Sequence, residues 1–280
     1  MVRQAAPTIA KPKPLQIGMS KTFFHELSKI MIDFAADDFK DVMKKTTGLD
    51  GDLIANYDPM EMAAKLNGKQ LDLGIFHGHE FAWAKARYPD FLPLIQIAVN
   101  KQHDERAFLI VRQNSPARTL ADLRGKKLDV PADVKHYCRI FLERSCIDKE
   151  QKESAAFFGS IQKSATQAAA LDDVCRDNVQ AALVDSVGLE FYKEIKGPVF
   201  AKNLKVLQQS DAFPPAGIVY KQGVLDEAML NQLRSGLLKA RTTACGRGLM
   251  TMWNIEDFEP ISKDYAKQLT QVLKAYPAPR

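Results

Sequence analysis

The chain has 280 residues, 46% of them hydrophobic and 26% charged. That is enough for one large domain or two modest lobes, each with its own core, and it excludes disordered, collagen-like and coiled-coil chains. The net charge of +5 is spread along the sequence without a basic run, which excludes a nucleic-acid tail and leaves a solvated surface with a weak positive field. No stretch approaches the roughly 20 apolar residues of a membrane span.

The first fourteen residues, with "APTIAKPKP", contain no apolar signal core and read as a tether. Such tethers follow signal or lipid-anchor sites, so the expectation is a periplasmic or surface-tethered protein whose signal peptide has been removed. Leu15 to Gly18 is a short apolar strand. Ser20 is a candidate N-cap for a helix from near Lys21, with apolar residues at Phe24, Leu27, Ile30, Met31 and Phe34, stopped by Gly48. A strand near Asp52 to Asn56 leads through Tyr57 to a helix opened by Pro59 and closed by Gly68. "LDLGIF" is the next strand, Phe81 to Arg87 a helix, and "FLPLIQIAV" a strand. This is a β-α-β-α-β order, with helices covering a parallel sheet.

The alternation restarts near residue 104 with the strand "ERAFLIVRQ". A turn, short helix and strand follow over residues 114–130, then a helix over 132–147. "AAFFG" reads as a strand, "SATQAAALDDVCRDN" as a helix, and "VQAALV", "LKVLQQS" and "PAGIVY" as strands. The chain from Leu225 is mostly helical. Two α/β lobes of similar build result: residues 15–103 plus 214–280, and residues 104–213. The chain crosses between them near Lys101 to Arg106 and near Gln208 to Phe213.

None of the motifs GxGxxG, GxxxxGK[ST], GxSxG or HExxH occurs, which removes the sequence signatures of several large enzyme classes. The four cysteines, Cys138, Cys146, Cys175 and Cys245, form no CxxC pair. Cys138 and Cys146 share a helix face but are too far apart to bridge, and buried free thiols are expected.

The most polar spot is "FHGHE", with His77, His79 and Glu80 just after a strand, where open parallel sheets place their ligands. Two imidazoles and a carboxylate suit a transition metal if further ligands converge. They equally suit a polar or anionic solute at a helix N-terminus, or a plain helix cap. Asp133 is a candidate N-cap in "PADVKHY", with Lys135 and His136 in the first turn. Ser160 and Ser164 are cap candidates in "FFGSIQKSATQ", and Asp185 follows a strand, as Tyr57 does. A cleft between lobes would gather these five polar strand ends. Phe23, Phe24, Phe34, Phe39 and Trp83 are expected in the core.

In order and spacing, "LQIGMS", "YDPMEMAAKLNGKQLDLGIF", "AFLIVRQNSPARTLADLRGKKL", "FFGSIQKSATQAAALDDVCRDNVQAALVD" and "LKVLQQSDAFPPAGIVY" resemble the phosphate/phosphite/phosphonate-binding proteins of ABC importers. The resemblance covers about Leu15 to Val219. It implies the type II periplasmic-binding-protein fold: two α/β lobes joined by two hinge crossovers, with the ligand cleft between them. Tyr57, Ser160 and Asp185 match the family's pocket. His77-Gly78-His79-Glu80-Phe81 stands where the family shows a Gly-Pro turn with a small or hydroxyl residue and a tyrosine. Asp133 to His136 stands where it shows a serine/threonine run, and Ile161 where it often has histidine. A carboxylate opposes a dianion unless a proton or an amine lies between them. The departures therefore point to a ligand with a positive or donor-rich part, to a protonated oxyanion, or to a different solute altogether.

The resulting expectation is the substrate-binding component of an ABC importer, a monomer that is not an enzyme and binds no nucleic acid. It captures a small polar or anionic, phosphonate-like solute without cofactor or metal and docks on a membrane permease. The expected contacts are Ser20, Tyr57, His77, His79 and Glu80 from the first lobe, and Lys135, His136, Ser160 and Asp185 from the second. The alternatives on the same fold are an enzyme resembling the pyrimidine synthases of thiamine biosynthesis, for which no cysteine-rich motif stands near a strand end, and a metal-binding or sensor module built on "FHGHE".

Overall fold

The computed structural model describes residues 13–24, 29–99, 105–253 and 255–278. Most of the N-terminal tether, Leu27, and the first crossover before Glu105 lie outside them, as do the side chains of Phe24 and Met31.

From the start of the chain, β1 (Leu15–Ser20) is followed by a 3-10 turn (Lys21–Phe24) and α1 (Lys29–Thr47). Residues 21–24 are thus a 3-10 turn where the apolar spacing suggests the opening of the long helix. Its inward face is also different: Phe39, Val42 and Met43 are buried, three and four residues apart, while Ile30 is 68% and Phe34 62% exposed. Then come β2 (Gly51–Tyr57), α2 (Pro59–Asn67), β3 (Leu73–Phe76), α3 (Gly78–Arg87) and β4 (Phe91–Ala98). The start of α2 forms as its sequence dictates, with the Met60 N–H donating to the Asp58 carboxylate and Pro59 in the first turn.

The chain continues through β5 (Ala107–Arg112), β6 (Lys127–Asp129), α4 (His136–Glu150), α5 (Ser154–Phe157), β7 (Ser160–Gln162), α6 (Gln167–Cys175), β8 (Ala181–Asp185), α7 (Ser186–Ala201) and β9 (Leu204–Gln209). It closes with β10 (Ala216–Lys221), α8 (Glu227–Leu237), α9 (Ala244–Trp253), β11 (Asp257–Glu259) and α10 (Tyr265–Ala275). Two expectations change here. "AAFFG" is mostly a helical turn, because the Glu143 carboxylate accepts from the Ser154 N–H and opens α5; the strand follows at Ser160. The α7 helix, unforeseen in sequence, starts where the Asp185 carboxylate accepts from the Gly188 N–H, and bends at Gly197 and Pro198.

The strands form a six-stranded sheet ordered β11-β4-β10-β3-β1-β2 and a five-stranded sheet ordered β7-β6-β8-β5-β9. Pairs β1–β2, β1–β3, β6–β7 and β6–β8 are parallel. Strand β10, returning after β9, runs antiparallel between β3 and β4. Each sheet is thus mixed, with parallel strand ends pointing toward helix starts. All four cysteines are free, and Cys138 and Cys146 are buried.

One apolar cluster carries residues from beside both sheets, among them Phe76 and Phe81 with Leu109, Leu128 and Phe141. Phe213, on the segment that returns to the first sheet, sits within it. Its ring lies 4.7 Å from that of Tyr137 and 4.9 Å from that of Tyr276. Trp83 is buried as expected, and its indole N–H donates to the Tyr276 carbonyl at 2.7 Å.

Candidate functional site

Strand β3 ends at Phe76 and delivers His77 to the N-cap of α3, in extended conformation. Gly78 opens the helix because nothing larger fits: a Cβ there would stand 2.1 Å from the Pro214 carbonyl oxygen. The returning crossover thereby presses on the start of α3. Gly78→Ala is expected to cost about 2 kcal/mol or more, read as a lower denaturant midpoint; an unchanged midpoint would mean that the two segments are not packed this way.

Glu80 is fully buried three residues into α3. Its carboxylate accepts from the His77 N–H at 3.1 Å, from the Ser20 hydroxyl at 3.1 Å and from the Thr22 hydroxyl at 2.6 Å. Burial pushes its pKa up to about 7 against the pull of these donors. Ser20 is therefore not the cap of a helix after β1; it stands at the end of the strand and holds Glu80.

The His77 ring stacks on Phe23 at 3.8 Å. Burial pushes its pKa down to about 3, and the charges of Lys135 and His136 add to that. His79 is 1% exposed. Burial, then His77 and His136, hold it well below the ordinary histidine range. Both imidazoles are neutral at pH 7. The Nε2 atoms of His77 and His79 have no hydrogen-bond partner among the described residues.

His136 reaches the same place from the other sheet. It is the first residue of α4, and Lys135, not Asp133, takes the N-cap position. Its ring lies 5.6 Å from that of His79, which also meets the edges of Trp83 at 5.1 Å and Phe213 at 6.0 Å. Lys135 lies among acidic neighbours. Glu105, where the chain enters β5, has its pKa pushed up to about 7 by burial, with Asp185 adding and Lys135 opposing. Burial also raises the Asp133 carboxyl, which accepts from the Gln167 backbone.

The structure thus gathers Ser20, His77, His79, Glu80, Lys135 and His136 where the two helix starts face each other. Asp185 ends β8 nearby, but its carboxylate is committed: it accepts from the Gly188 N–H at 2.8 Å and from the Gln167 amide at 3.0 Å, as the cap of α7. Tyr57 ends β2 with its ring part-buried and the Lys65 amine 5.6 Å from the ring centre. Ser160 is not brought in. It opens β7 opposite Lys127, exposed and at the far end of the strand from the cleft. Ser164 instead stands beyond the strand end, donating to Asp129, and Thr166 caps α6. The unforeseen members of the site are Thr22, Glu105, Gln167 and Phe213. Only Thr22, a hydroxyl beside Ser20 at a strand end, carried a local signal.

The family described as ABC transporter, phosphonate, periplasmic substrate-binding protein matches residues 31–265. The chain belongs to that family. Its role is that of a substrate-binding component of an ABC transporter, and the family is one of transporter components that bind a small ligand and interact with an ABC permease. The solved structures it resembles agree on the fold. PhnD1 from Prochlorococcus marinus, in complex with methylphosphonate, is 17% identical with a TM-score of 0.61, covering 94% of this chain and 98% of that one. A Xanthomonas citri protein bound to ATP is 16% identical with a TM-score of 0.62, covering 94% and 96%. A binding protein component of an ABC phosphonate transporter from Pseudomonas aeruginosa is 17% identical with a TM-score of 0.58, covering 92% and 85%. A search of curated protein sequences finds no match. The family and its structural relatives bear out the two-lobed periplasmic-binding fold and the transport role, and they do not favour the enzyme or sensor alternatives. Among the described residues no helix is long and apolar enough to cross a membrane.

Proposed function

We propose that the cleft between the two sheets captures a small phosphonate- or phosphate-class oxyanion in a protonated form. The lobes are residues 15–103 with 214–280, and residues 104–213, and ligand favours their closure for docking on the permease. The observation that carries this reading is Lys135 at the N-cap of α4, facing the start of α3 with its neutral His77 and His79. A helix start and an amine attract an anion. Neutral imidazoles donate or accept hydrogen bonds according to tautomer, and the buried carboxyl of Glu80 and the part-buried one of Glu105, both held up to about 7, suit a ligand that brings its own proton. The protein works as a monomer in the periplasm, reached through a signal peptide.

Calorimetry with methylphosphonate, phosphite and phosphate tests the ligand class. Binding of at least one in the micromolar range is expected, and Lys135→Ala is expected to weaken it by about 10-fold or more, the worth of a charge-assisted hydrogen bond of about 1.5–3 kcal/mol, with little change in stability. No binding below about 1 mM by any of the three would contradict the assignment.

A further inference from the structure

Three of the chain's five histidines converge on the facing starts of α3 and α4. Potential ligand atoms of His79, Glu80 and His136 all lie within 4.8 Å of one another. His79 and Glu80 are 1% and 0% exposed. The His79 Nε2 is buried without a hydrogen-bond partner among the described residues, an arrangement that costs free energy unless something occupies it. These groups line the cleft already assigned to the solute, and a ligand role for them rests on that reading.

We propose that His79, Glu80 and His136 form a binding site for a zinc-class transition-metal dication, with the remaining coordination position open to the cleft. The donor set is two imidazole nitrogens and one carboxylate oxygen. That set suits zinc, cobalt, nickel or copper and disfavours calcium and magnesium, which take oxygen ligands. Three protein ligands with one position open is the pattern of zinc sites that bind an exchangeable group. Around a single tetrahedral ion the donors stand roughly 3.4 Å apart, so the present spread of up to 4.8 Å closes by up to about 1.4 Å when the ion binds. Because His79 and Glu80 belong to α3 and His136 to α4, that closure draws the two lobes together.

The surroundings are those of a metal site. The Ser20 and Thr22 hydroxyls and the His77 N–H fix the Glu80 carboxylate, the role that hydrogen-bonded outer partners play for metal ligands. Trp83 and Phe213 wall the His79 ring from water. Lys135 is a nearby charge that opposes a cation, and Glu105 opposes Lys135 in turn. An anion on the open position would meet a metal and an amine together. The Glu80 carboxylate would then hold the metal rather than face the anion.

The test uses the full chain stripped of metal with a chelator and titrated with Zn2+ by calorimetry, and with Co2+ by visible absorption. One equivalent of zinc is expected to bind at about 1 µM or tighter, and Co2+ to show the strong bands of a four-coordinate nitrogen and oxygen site. His79→Gln and His136→Gln are each expected to weaken zinc by roughly 100-fold. His136 is half-buried at a helix start, so its variant reports binding even if the His79 variant folds poorly. Wild type without zinc affinity, or His136→Gln with affinity unchanged, overturns the site. Methylphosphonate is titrated with and without zinc as the companion measurement. Anion binding in the metal-free chain with no zinc binding sinks the metal site and leaves the oxyanion reading intact. Zinc binding with no anion binding in either state does the reverse.

Discussion

Replacing Phe213 with alanine is expected to remove about 3–5 kcal/mol of stability, more than any surface change in the chain. Phe213 is 1% exposed on the segment that returns to the first sheet. Its ring meets Tyr137 at the start of α4, Tyr276 beyond α10 and the edge of His79. Its backbone N–H donates to the Glu105 carbonyl at 2.8 Å, joining the two crossing segments. Truncation leaves a cavity where the two halves of the core meet, and nothing rigid on either side can collapse to fill it. Urea denaturation should show a lower midpoint, and ligand affinity should fall as well because the wall beside His79 is lost. A loss below about 1 kcal/mol would mean that the halves do not share this core.

The second large effect is on pH dependence, at Glu105. Its folded-state pKa, about 7, is raised above the ordinary 4.5 by burial, with Asp185 adding and Lys135 opposing. A carboxyl whose pKa rises on folding stabilises the fold most when protonated. Its contribution is present below the unfolded-state value and is lost as pH climbs from about 4.5 through about 7. Glu105 should therefore contribute a decline of up to about 3 kcal/mol across that window, at about 1.4 kcal/mol per unit, superposed on the contributions of Glu80, His77 and His79, which are common to wild type and a Glu105 variant. Glu105→Gln, which cannot ionise, should lack that contribution, so its stability relative to wild type should rise from pH 5 to pH 8 and make it the more stable protein at pH 8. Denaturation midpoints of both proteins at pH 5, 6, 7 and 8 check this. Parallel curves would show that Glu105 ionises freely in the fold.

Much of the architecture was legible in the sequence because it is local. Short apolar runs such as "LDLGIF" and "VQAALV" became β3 and β8, Pro59 opens α2 as its fixed φ favours and Gly68 follows its last residue, and the order of the blocks resembles that of a single family. The misreadings have physical reasons. Phe24 to Phe34 keeps a helical apolar spacing, yet residues 21–24 form a 3-10 turn, Ile30 and Phe34 are exposed, and α1 buries the face centred on Phe39, because its partner helices lie there. Two phenylalanines made residues 155–159 read as a strand, but a carboxylate eleven residues upstream, Glu143, opens a helical turn at Ser154. Asp133 looked like a cap because its residue type favours one, while the observed α4 begins only after Lys135.

The site shows the same division. His77, His79, Glu80, Lys135 and His136 were readable as polar residues at strand-to-helix junctions. Their meeting was not, because the approach of His79 to His136 joins residues 57 positions apart across two sheets. Ser160 was misplaced by the length of one strand: the junction was found, but the strand begins at Ser160 instead of ending there. Asp185 was correctly put at a strand end, and only the structure shows that its carboxylate is spent on capping α7.

The central claim is that solute binds between the facing starts of α3 and α4. Crystals grown with methylphosphonate test it most directly, through the difference electron density. Density in contact with Lys135, His79 and His136 is the expected result. The rival location is the groove of about 560 Å³ lined by Arg106, Asp211, Gln268, Gln271 and Lys274. Density confined there, with the space between the two helix starts filled only by solvent, would contradict the claim.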